Sequence, residues 1–192
     1  MISPYYNFYV ITAMAMSGHR KEALDWIRAY WGGMVKEGAT SFWEGYDPEW
    51  SKDNFHENLQ ADNGQGYFVS LCHGWSSGPT AWLIEQILGI EPQGAGFSKV
   101  RIRPDLAGLE WAHGTEPTPH GPISVDLRAA GKGLNVKLNL PPGVDAEVSM
   151  PAVAGSTNVL VNGQPMAGRV AENGSRIVVD LDRPGEYKVT SM

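Results

Sequence analysis

The stretch GATSFWEGYDPEW, residues 38–50, sets Glu44 among Phe42, Trp43, Tyr46 and Trp50. A carboxylate can take a proton from water or give one to a leaving group, and aromatic rings offer faces that suit a sugar. The same residues can also make an ordinary buried corner beside a solvated loop carboxylate. Further acids stand close by in the chain: Asp47, Glu49, Asp53, Glu57 and Asp62. Their spacing lacks the D-x-[DN]-x-[DN]-G register of a calcium loop. His56 beside Glu57 lacks the second histidine of a zinc pattern. These acids read as solvated loop carboxylates, and the sequence implies no metal or other cofactor. Cys72, between Leu71 and His73 and near Val69, reads as a buried, inert thiol. Trp75 reads equally well as a sugar-stacking ring or a core ring, whereas Trp43 leans to the core. An isolated histidine such as His73 is more often a structural hydrogen-bonder than a ligand.

The elements that must hold these residues change character near Gly96. Of the 19 aromatic residues, 16 fall in residues 1–96. That half reads as helical. Ser3-Pro4 supplies a cap and a first-turn proline, and Tyr6, Tyr9, Val10, Ala13 and Met14 follow at helical spacing until Gly18. A second helix sets Ala23, Ile27, Tyr30, Trp31 and Met34 on one face, with Arg20, Lys21, Glu22, Asp25 and Arg28 mostly on the other. A third starts near Ser77-Gly78-Pro79, packs Leu83, Ile84, Ile87 and Leu88, and stops at Gly89. Between the second and third lies an irregular stretch, residues 38–76, long enough to suggest a functional loop.

Beyond Gly96 the pattern alternates. SKVRIRP, ISVDLRAA, LNVKLNLP, AEVSMP, NVLVNG, RIVVDLD and GEYKVT read as strands. Asn162-Gly163 and Asn173-Gly174 read as hairpin turns, because they tolerate the positive φ that primed turns need. Seven or eight short strands predict an antiparallel β-sandwich. Its charged residues alternate as on solvated faces, without a catalytic cluster, so it reads as a supporting module.

Hydrophobic content of 42% against 19% charged suits a globular protein with a sizeable core. A net charge of −6 without a basic run argues against nucleic-acid binding. One cysteine cannot form an internal disulfide. VITAMAMSG loosely offers an apolar run and a cleavage-like A-x-A. No Lys or Arg precedes it and Pro4, Tyr5, Tyr6 and Asn7 interrupt it, so no signal peptide is expected. No apolar run reaches membrane-spanning length.

Three stretches carry a resemblance: SPYYNFYVITAMAMSGHRKEALDWIRAYWGGMVKEGATSFWE, SLCHGWSSGPTAWLIEQILGIEPQGAGFSKVRIRPDL and LEWAHGTEPTPHGPISVDL. In order and spacing, from about Ser3 to about Leu127, they resemble the C-terminal third of bacterial α-L-rhamnosidases of glycoside hydrolase family 78. The resemblance implies an α+β multidomain architecture, with residues 1–96 as the last helices of an (α/α)6 toroid and residues 97–192 as a C-terminal β-sandwich. It also implies inversion at the anomeric carbon and rhamnose-containing glycosides as substrates. The family's T-[ST]-x-W-E segment stands here as Thr40-Ser41-Phe42-Trp43-Glu44, so the resemblance assigns Glu44 the general-base role. His73 matches a position that reaches the family's sugar pocket. Trp43, His73 and Trp75 are thus the substrate-binding candidates.

The family's general acid belongs to an earlier motif, with no counterpart in these 192 residues. An inverting glycosidase needs two carboxyl groups roughly 6.5–9.5 Å apart, one for the leaving oxygen and one for water. The expected function is therefore a rhamnosidase portion that carries the base and depends on an acid supplied from elsewhere. The competing reading is a non-catalytic carbohydrate-binding or interaction module derived from such an enzyme. A different toroidal sugar enzyme, such as a glycoside phosphorylase, fits TSFWE and CHGWSSGPT less well. With about three long helices of a twelve-helix toroid, the chain is expected to pair with itself or with the N-terminal catalytic portion. Either the Tyr6/Tyr9/Met14 face or the Ile27/Tyr30/Trp31 face would then be covered. The alternating strands are expected to fold alone, and the helical half is not.

Overall fold

The structure is a computed structural model that describes residues 3–47, 70–153 and 156–191. Glu49, Trp50, Asp53, His56, Glu57 and Asp62 lie outside the described residues. The chain packs as two compact units, Met1–Trp82 and Leu83–Met192.

The first unit is built on an antiparallel helix pair, α1 (Pro4–Met16) and α2 (Arg20–Lys36). Ser3 is extended and Pro4 takes the first turn, where a missing N–H costs nothing. Gly18 turns the chain at φ +87°, a left-handed conformation natural to glycine. The expected face of α2 is the buried one: Ala23, Ile27, Tyr30, Trp31 and Met34 are all core. α1 leaves exposed the Tyr6 and Tyr9 side that is expected to meet a partner. Its buried residues are Pro4, Asn7, Ile11 and Ala15, while Tyr6, Tyr9 and Val10 are exposed. Hydrophobicity runs nearly all round this helix, so the sequence does not single out a face, and packing chose one. Asn7 fits there because its Oδ1 accepts the Trp26 indole N–H at 2.8 Å and its Nδ2 donates to Ser3 O.

A short helix α3 (Gly78–Leu83) widens into one π-helical turn, Ile84–Leu88, and ends at Gly89 with φ +74°. Ile87 and Leu88 are buried, but Leu83 is 36% exposed. The π turn breaks the helical period on which the sequence placed all four residues inside.

The second unit is a β-sandwich. Its first sheet runs β1 (Ile90–Pro92), β2 (Lys99–Ile102), β6 (Asp145–Pro151), β10 (Arg176–Leu181), β9 (Arg169–Ala171). The second runs β3 (Trp111–Glu116), β4 (Ile123–Ala130), β5 (Gly133–Leu140), β11 (Gly185–Ser191), β7 (Asn158–Val161), β8 (Gln164–Ala167). Inward residues of both sheets make one core, with Val100, Ile102, Val148, Met150, Ile177 and Val179 from one sheet and Ile123, Val125, Leu127, Val136, Leu138 and Val189 from the other.

One pairing departs from the all-antiparallel expectation. β2 and β6 lie parallel, Val100 opposite Ala146, because the chain leaves the first sheet for β3–β5 and re-enters it running the same way. The four strands the sequence did not show are β1, β3, β8 and β9. β3 lacks apolar alternation because its inward positions are Ala112 and Gly114. At Gly114 a Cβ would stand 2.6 Å from Leu88 Cδ1, so the missing side chain makes room for that leucine. Both predicted Asn-Gly turns are present. Asn162-Gly163, at φ +51° and +80°, closes β7 onto β8, and Asn173-Gly174 lies in the loop between β9 and β10.

Candidate functional site

Glu44 sits on an extended stretch that runs antiparallel to residues 70–73. The Glu44 N–H donates to Ser70 O at 2.8 Å, and the His73 N–H donates to Phe42 O at 2.7 Å. The Ser41 hydroxyl donates to Leu71 O. The Glu44 side chain is exposed, and its Oε2 accepts the Ser70 backbone N–H at 2.8 Å. Among the described residues Oε1 accepts no hydrogen bond. One oxygen is thus anchored and, among the described residues, the other is left without a hydrogen-bond donor, an arrangement that suits a base receiving a proton from water. Ser70 was not legible as a site residue, because an irregular backbone pairing between distant segments leaves no spacing pattern.

The residues beside Glu44 fix the backbone that carries it. Trp43 and Tyr46 are each 4% exposed, with ring centroids 6.3 Å apart. Tyr46 packs edge-on to Tyr30, whose hydroxyl donates to Tyr46 O at 3.0 Å. Gly33 of α2 makes this approach possible, since a Cβ there would lie 2.7 Å from the Tyr46 ring. Burial pushes the hydroxyls of Tyr30 and Tyr46 above the ordinary phenol range and keeps both neutral. Trp43 is therefore core, the environment its sequence favoured, and it presents almost no face to a sugar. Phe42 is half-buried over a cavity of about 230 Å³ shared with Trp31 and Met34.

His73 and Trp75 follow on the partner stretch. Trp75 is 72% exposed, its ring 5.9 Å from His73 and 5.4 Å from Tyr5. Tyr5 in turn meets Tyr9, their hydroxyls 3.0 Å apart, and that hydrogen bond raises the Tyr5 hydroxyl above its usual range. An exposed aromatic patch thus gathers Tyr5, Tyr6, Tyr9, His73 and Trp75. The turn that presents Trp75, Gly74–Ser76, is anchored by Trp31, whose indole N–H donates to the carbonyl of the buried Ser76 at 2.9 Å. Cys72 is exposed, against the expectation of a buried thiol. Of the apolar neighbours that suggested burial, Leu71 is itself 41% exposed, and Val69 lies outside the described residues.

Asp47 is the one other acid of the 38–50 stretch within the described residues, and it is half-buried. Among the described residues, no group of three or more His, Cys, Asp or Glu side chains is placed to hold a metal ion. No described helix is long and apolar enough to cross a membrane.

Residues 89–164 match the family model of the bacterial α-L-rhamnosidase C-terminal domain. An α-L-rhamnosidase of Alteromonas sp. (strain LOR) is 35% identical over 132 residues, covering 67% of this chain and 14% of that protein. An α-L-rhamnosidase of Streptomyces avermitilis is 30% identical over 125 residues, 64% of this chain and 11% of that protein. The chain therefore spans a minor part of the curated relatives it matches. The solved structure of the Streptomyces avermitilis α-L-rhamnosidase complexed with L-rhamnose matches 95% of this chain and 17% of that one, at a TM-score of 0.70 and 25% identity. The structure of an α-L-rhamnosidase from Dictyoglumus thermophilum matches 96% of this chain and 20% of that one at a TM-score of 0.75. At 19% identity, that likeness supports the fold alone. The chain belongs to the α-L-rhamnosidase family, glycoside hydrolase family 78, and corresponds to its C-terminal portion.

Proposed function

We propose that this chain is the base-bearing C-terminal part of an inverting α-L-rhamnosidase that hydrolyses terminal α-L-rhamnosides, with Glu44 as general base. The observation that carries this is the exposed Glu44 carboxylate, with Oε2 held by the Ser70 N–H and Oε1 accepting no hydrogen bond among the described residues. The free oxygen takes a proton from water as that water attacks the anomeric carbon from the face opposite the leaving group. The leaving oxygen must receive a proton from an acid on the other face, which this reading places outside the 192 residues. Trp43 acts from behind, locking the backbone of Glu44 into the aromatic core. His73 and Trp75 are assigned to the sugar, as a hydrogen-bonding group and an exposed ring. The two helices and α3 belong to the end of the toroid, and the exposed Tyr6, Tyr9 and Val10 face is where its neighbouring helices, or a second copy of the chain, pack.

The test uses purified residues 1–192 with an aryl α-L-rhamnoside. Turnover is expected to be negligible for the chain alone, because general-acid help is worth about a hundred- to ten-thousand-fold and positioning is lost with it. Joining the acid-bearing N-terminal region restores turnover, and Glu44→Gln in that enzyme abolishes it while largely sparing substrate binding. Full activity of Glu44→Gln there removes Glu44 from the mechanism.

A further inference from the structure

The outer face of the six-stranded sheet holds a groove of about 600 Å³ that no part of the hydrolytic reading uses. Strand register builds it. His113, Asp126, Lys137 and Lys188 lie directly opposite one another in turn across β3, β4, β5 and β11. The next outward row is Thr115, Ser124, Asn139 and Glu186. The short side chains of Thr115, Ser124 and Asn139 leave the sheet backbone accessible, since the inward-facing Gly114, Val125 and Leu138 also line the groove. Thr115 and Ser124 share a hydrogen bond at 3.0 Å on its floor. Just beyond the lining residues, Trp111 is 54% exposed and stacks on His113, which does line the groove, ring centroids 5.7 Å apart and planes 10° from parallel.

We propose that this face is a binding groove for a neutral oligosaccharide, distinct from the Glu44 site, with Trp111 as its stacking ring. The charges select the class. Two carboxylates (Asp126 and Glu186) stand against two lining ammonium groups (Lys137 and Lys188), and Arg128, opposite Trp111, pairs with Asp126 at 3.7 Å, so no cluster of one sign faces the groove and a strongly charged ligand gains little. Apart from Gly114, Val125 and Leu138, every lining side chain is a donor, an acceptor or both, which matches sugar hydroxyls, each able to donate and accept. An exposed indole on the outer side of an edge strand is otherwise an uncovered apolar surface, and a pyranose ring covers such a face. Three inter-strand spacings of about 4.8 Å separate His113 from Lys188 by about 14 Å, which suits several sugar residues better than one. The alternation that makes this face read as merely solvated is also what brings the two polar rows together.

The test is an NMR titration of the ¹⁵N-labelled 192-residue chain with cellotriose, maltotriose and a rhamnose-terminated trisaccharide, with free L-rhamnose as the monosaccharide control. At least one trisaccharide is expected to move the Trp111 indole and the Lys137 and Asn139 amides, with at least tenfold weaker binding by L-rhamnose. Trp111→Ala, at an exposed position, and Asn139→Ala should each weaken that binding about tenfold while the β-core methyl signals stay in place. The proposal is overturned if no trisaccharide shifts these residues, if shifts appear only around Trp75 and Tyr5, if L-rhamnose binds equally well, or if both variants bind like the parent. Because the readout is binding by this chain, its failure leaves the hydrolytic reading of Glu44 intact, and the converse also holds.

Discussion

Glu44 and Ser70 exchange two hydrogen bonds across the two stretches that form the candidate site. The Glu44 N–H donates to Ser70 O and the Ser70 N–H donates to Glu44 Oε2, each at 2.8 Å. The carboxylate is therefore aimed by backbone, and the Ser70 side chain is not what holds it. Its hydroxyl instead bonds the Cys72 backbone.

That distinction gives a first prediction. In an enzyme restored with its acid-bearing region, Ser70→Pro removes the N–H that holds Oε2 and should lower kcat about tenfold with a smaller change in KM. Ser70→Ala keeps the N–H and should stay within about twofold of the parent. Steady-state kinetics on an aryl rhamnoside separates the two, and equal losses in both variants would argue that the hydroxyl matters instead.

The boundary of an independently folding sandwich can be tested by truncation. Ile90 and Leu88, 1% and 5% exposed, belong to the sandwich core, and β1 pairs with β2. Residues 83–192 are expected to unfold cooperatively in urea. Residues 97–192 keep most strands but lose both side chains, each worth about 1.5–3 kcal/mol when fully buried, and should show a lower midpoint or no cooperative transition.

Gly89 ends the π turn where the chain enters β1. Its φ is +74°, and a Cβ there would overlap the Arg103 carbonyl carbon and lie 2.5 Å from Pro104 N. Backbone cannot move aside as a side-chain tip can. Gly89→Ala should cost about 2 kcal/mol or more, read as a drop in Tm. Gly131→Ala, at φ +59° with nothing within 4 Å of the added carbon, should cost less.

Glu85 gives a pH-dependent prediction. Burial, then the charges of Glu91 and Glu116, raise its carboxyl above the usual carboxylate range. A raised folded-state pKa means the folded protein holds this proton more tightly than the unfolded chain does. Its ionisation therefore opposes folding, and the penalty grows as pH rises through the unfolded value of about 4.3 and levels off above the folded value. Glu85→Gln should leave stability unchanged near pH 3 and raise it near pH 7, by less than about 1 kcal/mol because the side chain is exposed. Urea denaturation at the two pH values checks the sign.

Cys72 is exposed, so alkylation by iodoacetamide in native buffer should go to completion without denaturant. Protection until the chain is unfolded would mean that the thiol is covered in solution.

The sequence by itself determined the elements with a strong local period. The apolar stripe of α2, seven strands of the sandwich and both Asn-Gly turns follow from side-chain spacing and from residues that tolerate positive φ. It also singled out Glu44, through a short motif whose order resembles a family. Tertiary structure decided whatever depends on partners far away in the chain. It chose which face of α1 is buried, since an almost uniformly apolar helix has no preferred side until Trp26 engages Asn7. It made β3 a strand, because Gly114 yields space to Leu88, and it set β2 parallel to β6. It exposed Cys72 and gave the Glu44 carboxylate its backbone donor. Local propensity is written residue by residue, whereas a register between segments 26 residues apart, as for Glu44 and Ser70, exists only once the chain has closed on itself.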